Sequence, residues 1–375
     1  MELATGDSAF FLCQRCVASE QWRPHLKDLG RNGQMTLKID TQLRGFDFQR
    51  VGAHAQQLEK MGFDAIWTFE AGQDAFTPLI LAGGQTSKIH LGTNIAVAFG
   101  RSPFSMAQTA WDMQRLSDGR FHLGIGTQVR AHIERRFSMP FDQPAKRITD
   151  YVHCVRAIWD NFQNNTKPDY RGEFYQFTLM NPFFNAGPID HPDIPIYLAG
   201  VNERMCRAAG ECADGFHAHP IHTISYLRDV VRPAIDAGAK TRGKSVDDME
   251  VQTMVMIASG DTQAEIDKAV EDVRMQIAFY GSTPNYRAVL EHIGEGALGK
   301  ELSQMMRSGQ MDQMAAKIPD RIVDQVAVVG NLKDAGRTVR ERYTGIVDRI
   351  AYYYPVPEGD PVEKWQVFTE AARAA

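Results

Sequence analysis

The chain lacks any apolar run approaching the roughly 18 residues that a membrane-spanning helix needs. It lacks a basic surplus as well. Net charge is −5 and no lysine- or arginine-rich tract occurs, so nucleic acid and membrane are not expected partners. Cysteine is scarce. The five cysteines are odd in number and scattered, which argues against a disulfide framework and for a reducing cytoplasm. Cys13-x-x-Cys16 has no second pair of ligands nearby, so it does not read as a metal centre, and no metal is expected elsewhere. The first 34 residues lack the basic start, apolar stretch and small-residue cleavage site of a secretory leader. They also lack a clean period. We read 1–34 as a loosely packed extension upstream of a candidate natural start at Met35.

What is present is a regular alternation of strand and helix signals over 35–375. Strands are expected at Leu37–Gln42, Ala65–Phe69, within His90–Ala98, and at Phe121–Gly126, Ile196–Ala199, Gly215–His217, Glu250–Ala258 and Asp348–Tyr353. Helices between them are marked by apolar residues at helical spacing and by cap residues. Asp47 is the expected cap of the first, running to Gly62. Thr77-Pro78 opens the second, and the third spans Pro103–Leu116. Further helices are expected at Asp142–Trp159, Glu203–Cys212, Ser225–Ala239, from a cap at Asp261 or Thr262 to about Ala278, and at about Arg321–Val329, Leu332–Arg342 and Pro361–Ala374. Two stretches break the rhythm, at about 161–193 and 280–320. Phe174–Leu179 in the first is a candidate excursion strand. Both are expected to roof a pocket, and their aromatic residues suit an apolar or ring-bearing molecule.

Eight β–α units imply a parallel sheet. In a chain of this length they fit an α/β fold, a closed (β/α)8 TIM barrel with insertions. An open doubly wound sheet would carry its glycine fingerprint after the first strand. Here the glycines follow the fourth, in Phe121-His122-Leu123-Gly124-Ile125-Gly126-Thr127-Gln128, and the third glycine is missing.

Barrel chemistry gathers where strands end. That rule selects Asp40, Gln42, Glu70, Asn94, Ile95, Gly126, Thr127, Gln128, Ala199, Gly200, Val201, Asn202, His217 and His219. Trp67, Phe69 and Phe99 are core or pocket wall.

Four stretches resemble the bacterial luciferase-like flavin monooxygenases, and more closely their branch that uses the 5-deazaflavin coenzyme F420. They are Leu91-Gly92-Thr93-Asn94-Ile95, Gly119 to Thr127, Pro195 to Gly200 with Ala213-Asp214-Gly215-Phe216, and Gly281 to Tyr286. The resemblance runs from about Met35 to the C-terminus. It implies a non-proline cis peptide at Asn94–Ile95, forming a bulge behind the cofactor ring. It implies that Gly126, Thr127 and Gln128 lie under that cofactor. It further implies that Ala199, Gly200, Val201 and Asn202 hold its phosphate at the start of the Glu203–Cys212 helix, where backbone N–H groups converge. Arg130, His132, Arg135 and Arg136 are candidates to meet an anionic tail or an acidic substrate. Two departures stand out. Glu70-Ala71 occupies the place where some relatives carry an acidic residue and a catalytic histidine, and Val201-Asn202 replaces a double glycine.

The implied function is hydride transfer between coenzyme F420 and a small organic substrate, with Glu70 as acid/base and His217 and Asp40 in reserve. The alternatives are an FMN-dependent monooxygenase using oxygen, and a barrel that binds flavin without catalysis. A homodimer is the assembly common in the resembled family.

Overall fold

The computed structural model describes residues 36–44 and 47–374. The expected extension over 1–34, with Cys13 and Cys16, lies outside them. Eight parallel strands close on themselves: β1 (Lys38–Gln42), β2 (Ala65–Thr68), β3 (His90–Thr93), β4 (Phe121–Gly126), β5 (Ile196–Gly200), β6 (Gly215–Ala218), β7 (Glu250–Ala258) and β8 (Arg349–Tyr352). The closure is direct. Arg349 of β8 lies beside Lys38 of β1 on one side and Gln252 of β7 on the other. An open sheet would leave β1 and β8 unpaired, so the barrel is the architecture. No helix among the described residues is long and apolar enough to cross a membrane.

The local reasons match the sequence in most elements. From Val251 to Ala258, β7 is buried at every residue, as expected of a strand with core on one face and helices on the other. Helix α3 (Pro103–Leu116) begins where the Ser102 hydroxyl accepts the Ser105 N–H at 3.1 Å. Helix α5 (Glu203–Cys212) begins where Asn202 accepts the Met205 N–H at 3.1 Å. Helix α7 (Gln263–Gly281) carries a reciprocal cap, Thr262 with Glu265. Such caps contribute about 1 kcal/mol each.

Other elements differ from expectation. Asp47 does not cap α1 (Val51–Lys60); it accepts the Gln49 N–H in the turn before it. The third strand is split, with Ala96–Val97 resuming beyond a cis Asn94–Ile95 bond. The stretch expected as one helix over Ser225–Ala239 is a short helix, a wide π turn over Leu227–Val231 and then α6 (Arg232–Ala239). Pro233 has no N–H to continue the regular ladder there. Within the expected helix Arg321–Val329, the segment Ala327–Val329 is instead a strand paired with the end of β7. A free strand edge outweighed helical pattern for that β-branched run. Helix α8 (Leu332–Tyr343) and helix α9 (Val362–Arg373) close the chain.

The amino-terminal ends of the strands hold a buried charged cluster. Arg349, 1% exposed, makes two bonds to Asp40 (2.8 and 3.0 Å) and one to Glu250 (3.1 Å). Lys38 binds the other Glu250 oxygen at 2.6 Å. Two cations fix Glu250. Burial alone would raise its pKa, but Arg349 and Lys38 outweigh burial and hold it well below the usual value.

Candidate active site

At the opposite, carboxyl-terminal ends of the strands lies a cavity of about 680 Å³. Asn94, Thr127 and Gly200 all line it, as do the other rim residues Gln42, Glu70, Ile95, Gly126, Gln128, Ala199, Val201, Asn202, His217 and His219.

One wall is the bulge after β3. The cis bond lies at Asn94–Ile95, where the family resemblance implied it. The Glu70 backbone N–H donates to the Ile95 carbonyl at 3.0 Å, and the Glu70 carboxylate accepts the Val97 N–H at 2.8 Å. Arg101 then pairs with the same Glu70 oxygen and with Asp74. Asn94 is held from inside the barrel, its Nδ2 donating to Gln252 Oε1 at 3.1 Å.

Beside the bulge, β4 must run without side chains at Gly124 and Gly126. A Cβ on Gly124 would sit 1.8 Å from the Thr93 carbonyl oxygen. A Cβ on Gly126 would stand 3.2 Å from the Ile95 side chain, in the gap between Ile95 and Ala199. Gln128 then turns in the left-handed region, φ 57°, and its side-chain oxygen accepts the Val129 N–H.

Across the cavity, Gly200, Val201 and Asn202 lead into α5. Asn202 caps Met205, while the Glu203 and Arg204 N–H groups find no acceptor among the described residues. The start of this helix is thus a partly open set of donors.

His217 lies beneath the floor, 1% exposed, stacked on Tyr197 at 4.9 Å. Its Nδ1 donates to Gln252 Oε1 at 2.8 Å. Burial pushes its pKa down to about 3, so the ring is neutral at ordinary pH. His219 stands higher, half-buried among Tyr280 and Tyr286.

The structure does not bring Asp40 to this cavity. It is 0% exposed, spent on Arg349 and on the Trp67 indole N–H at 2.9 Å; side chains alternate along β1, and Asp40 points into the barrel below the rim. Glu70 lines the cavity, but its carboxylate is turned to Val97 and Arg101. The three aromatics separate: Trp67 is 0% exposed core, Phe99 is buried against Phe141, and Phe69 is wall. Of the basic loop only Arg130 lines the cavity, 5.1 Å from the Phe141 ring. The stretch 161–193 contributes nothing to the lining. Its small hairpin, Tyr170–Arg171 with Gln176–Phe177, is tied to α4 (Pro144–Asn164) through Asp150, which accepts the Phe174 and Tyr175 N–H groups. The stretch 280–320 does contribute, through Tyr280, Asn285 and Tyr286. Met254 and Tyr353 were missed; following the rim rule through the seventh and eighth strands would have reached Tyr353. Gln252 and Arg101 carried no sequence signal, because each acts through a partner far away in the chain.

Comparison with known proteins gives this barrel, with its cis bulge beside Gly124 and Gly126, its class. Residues 26–349 match the luciferase-like monooxygenase family. The chain belongs to that family. It is 43% identical to an uncharacterized protein of Mycobacterium tuberculosis, over 85% of this chain and 93% of that one. It is 28% identical, over 79% of this chain and 89% of the other, to a protein of the same species provisionally named a coenzyme F420-dependent oxidoreductase. Among solved structures it resembles the coenzyme F420-dependent tetrahydromethanopterin reductase of Methanopyrus kandleri, with TM-score 0.70 and 20% identity over 90% of this chain and 97% of that one.

Proposed function

We propose that this chain is an oxidoreductase that binds coenzyme F420 and passes hydride between it and a small organic substrate. The observation that carries the reading is the slot at Gly126. A single Cβ there would fill the gap between Ile95 and Ala199, so a flat ring can approach the backbone that a side chain would cover. The residues present fit such a group. Ile95 on the cis bulge offers an apolar face, and the Glu203 and Arg204 N–H groups beside Gly200, Val201 and Asn202 suit a phosphate. The 28% identical relative's name points the same way.

When bound, the deazaflavin supplies two-electron hydride chemistry at carbon. This chain's residues do the rest. The Glu70–Val97 and Asn94–Gln252 bonds keep the bulge rigid. The aromatic wall of Phe69, Tyr280 and Tyr286 excludes water and orients the substrate. Glu70 remains the proposed acid/base residue only where its Arg101 pairing can be exchanged for a proton. His217, neutral and buried, acts on the cavity by holding Gln252 and, through it, Asn94.

The test is a pair of fluorescence titrations of the purified protein, with coenzyme F420 and with FMN. Quenching by F420 and reduction of a substrate panel by reduced F420 is the expected result. Tight FMN binding without F420 binding overturns it in favour of the monooxygenase. Binding of either with no turnover across the panel favours a barrel that binds flavin without catalysis.

A further inference from the structure

One side chain in the cavity presents a hydrogen-bond donor that no acceptor among the described residues meets. His219 follows β6, and its Nδ1 accepts the Ile221 backbone N–H at 3.1 Å. A neutral imidazole carries one proton, so with Nδ1 accepting, the proton is on Nε2. No acceptor for Nε2 occurs among the described residues, and Nε2 is not among the polar atoms sealed from solvent. The ring itself is clamped. Tyr286 lies against it with ring centroids 4.0 Å apart and planes tilted by 32°, and Tyr280 meets it edge-on at 4.6 Å. Tyr280 is in turn held by a 2.7 Å bond to the Tyr353 hydroxyl. These four residues come from three separate parts of the chain and all line the cavity.

We propose that the His219 Nε2–H is the donor of a substrate subsite, one that takes a carbonyl or imine acceptor attached to a flat unsaturated group. This deepens the oxidoreductase reading and rests on it in treating the cavity as a substrate chamber. Three features select that chemistry. The donor is fixed, so it favours a ligand that places an acceptor at one point. Burial pushes His219 down to about 3, so it offers a neutral N–H rather than a cation, which suits an uncharged acceptor over a carboxylate. Phe69, Phe141, Tyr280 and Tyr286 make the lining aromatic, which favours a flat unsaturated group over a saturated one. A ligand that covers the ring but lacks the acceptor would displace water from the N–H and leave it unpaired, and sites of that kind reject such ligands. His219 is thereby a specificity-determining residue.

The experiment follows the His219 ring in 15N-histidine-labelled protein, alone and loaded with F420, with acetophenone, ethylbenzene, cyclohexyl methyl ketone and benzoate as probes. Acetophenone is expected to shift the Nε2–H signal saturably, ethylbenzene to leave it in place, and the cyclohexyl ketone to bind more weakly than acetophenone. In His219→Asn the shorter amide can still accept the Ile221 N–H through its oxygen, so the turn is kept while its own N–H groups fall short of the Nε2 position. Acetophenone binding should weaken by about tenfold, with F420 affinity unchanged. His219→Leu is the second variant, expected to bind ethylbenzene and acetophenone alike. Equal binding of acetophenone and ethylbenzene by the wild type overturns the proposal. So does a wild-type ring without a proton on Nε2. Preference for benzoate that survives in His219→Asn overturns it too, in favour of an anion site at Arg44, whose guanidinium lies 5.2 Å from the Phe69 ring. If F420 fails to bind while the ring still responds to acetophenone in the protein alone, the cofactor reading falls and the subsite stands.

Discussion

The Glu70 carboxylate accepts the Val97 backbone N–H at 2.8 Å, 27 residues along the chain. That bond, with the Glu70 N–H to Ile95 carbonyl bond, makes the second residue after β2 the brace of the bulge after β3. A carboxylate expected to exchange protons with a substrate is therefore also a structural clamp.

Substitution separates the two roles. Glu70→Ala leaves the Val97 N–H unpaired and should cost about 1–3 kcal/mol of stability, with cofactor affinity lowered with it. Glu70→Gln keeps an acceptor for Val97. If Glu70 only braces the bulge, Glu70→Gln retains most activity; if it exchanges protons, kcat collapses while cofactor binding persists. Urea unfolding and steady-state kinetics read both.

The glycines of β4 should respond differently. Gly124→Ala drives a methyl onto the Thr93 carbonyl, a backbone clash that forces β3 and β4 apart, so expression or thermal stability should fail. At Gly126 the atoms nearest an added Cβ are side-chain atoms of Ile95 and Ala199, not backbone, and Gly126→Val would extend into the slot. It should fold and lose the cofactor, as a fluorescence titration beside a circular dichroism melt would reveal.

Removing one partner from the buried cluster should be severe. Asp40→Ala strands Arg349 without its two-pronged partner, a change that costs about 3–5 kcal/mol. The loss should appear as a lower denaturation midpoint, with F420 affinity per folded molecule unchanged, because Asp40 does not reach the cavity.

Acid should destabilise the fold in two windows. His217 has its folded pKa lowered to about 3 against about 6.5 when unfolded. The unfolded chain alone then binds the proton, so stability falls as pH drops below about 6.5, by at most about 1.4 kcal/mol per pH unit for one histidine. His90 and His222, lowered by burial to about 4, add to that slope. Glu250 is depressed too, so its contribution is full above the unfolded carboxylate value of about 4.3 and is lost as pH falls further toward its folded value. Denaturant midpoints should hold from pH 8 to about 6.5 and decline from there to about pH 4, and His217→Gln should flatten the upper part of the decline. A flat profile in the wild type would contradict the buried neutral histidines.

Much of this molecule was written in local pattern. The bounds of β4, β7, α3 and α5 follow from residues a few positions apart: alternation in Phe121–Gly126, proline after Ser102, Asn202 before an amphipathic run. The rim was legible for the same reason, since strand ends locate it whatever the side chains do. Tertiary structure decided what local pattern cannot hold. The pairing of Ala327–Val329 with β7 turned an expected helix into a strand. Asp150 fastened the 161–193 hairpin to a helix rather than over the cavity. Asp40 and Glu70 carry the carboxylates the chemistry wanted, yet Arg349 and Val97, 309 and 27 residues away, decided how each is used. Backbone preference is set by neighbours in sequence. The state and direction of a charged side chain are set by neighbours in space, and only folding chooses those.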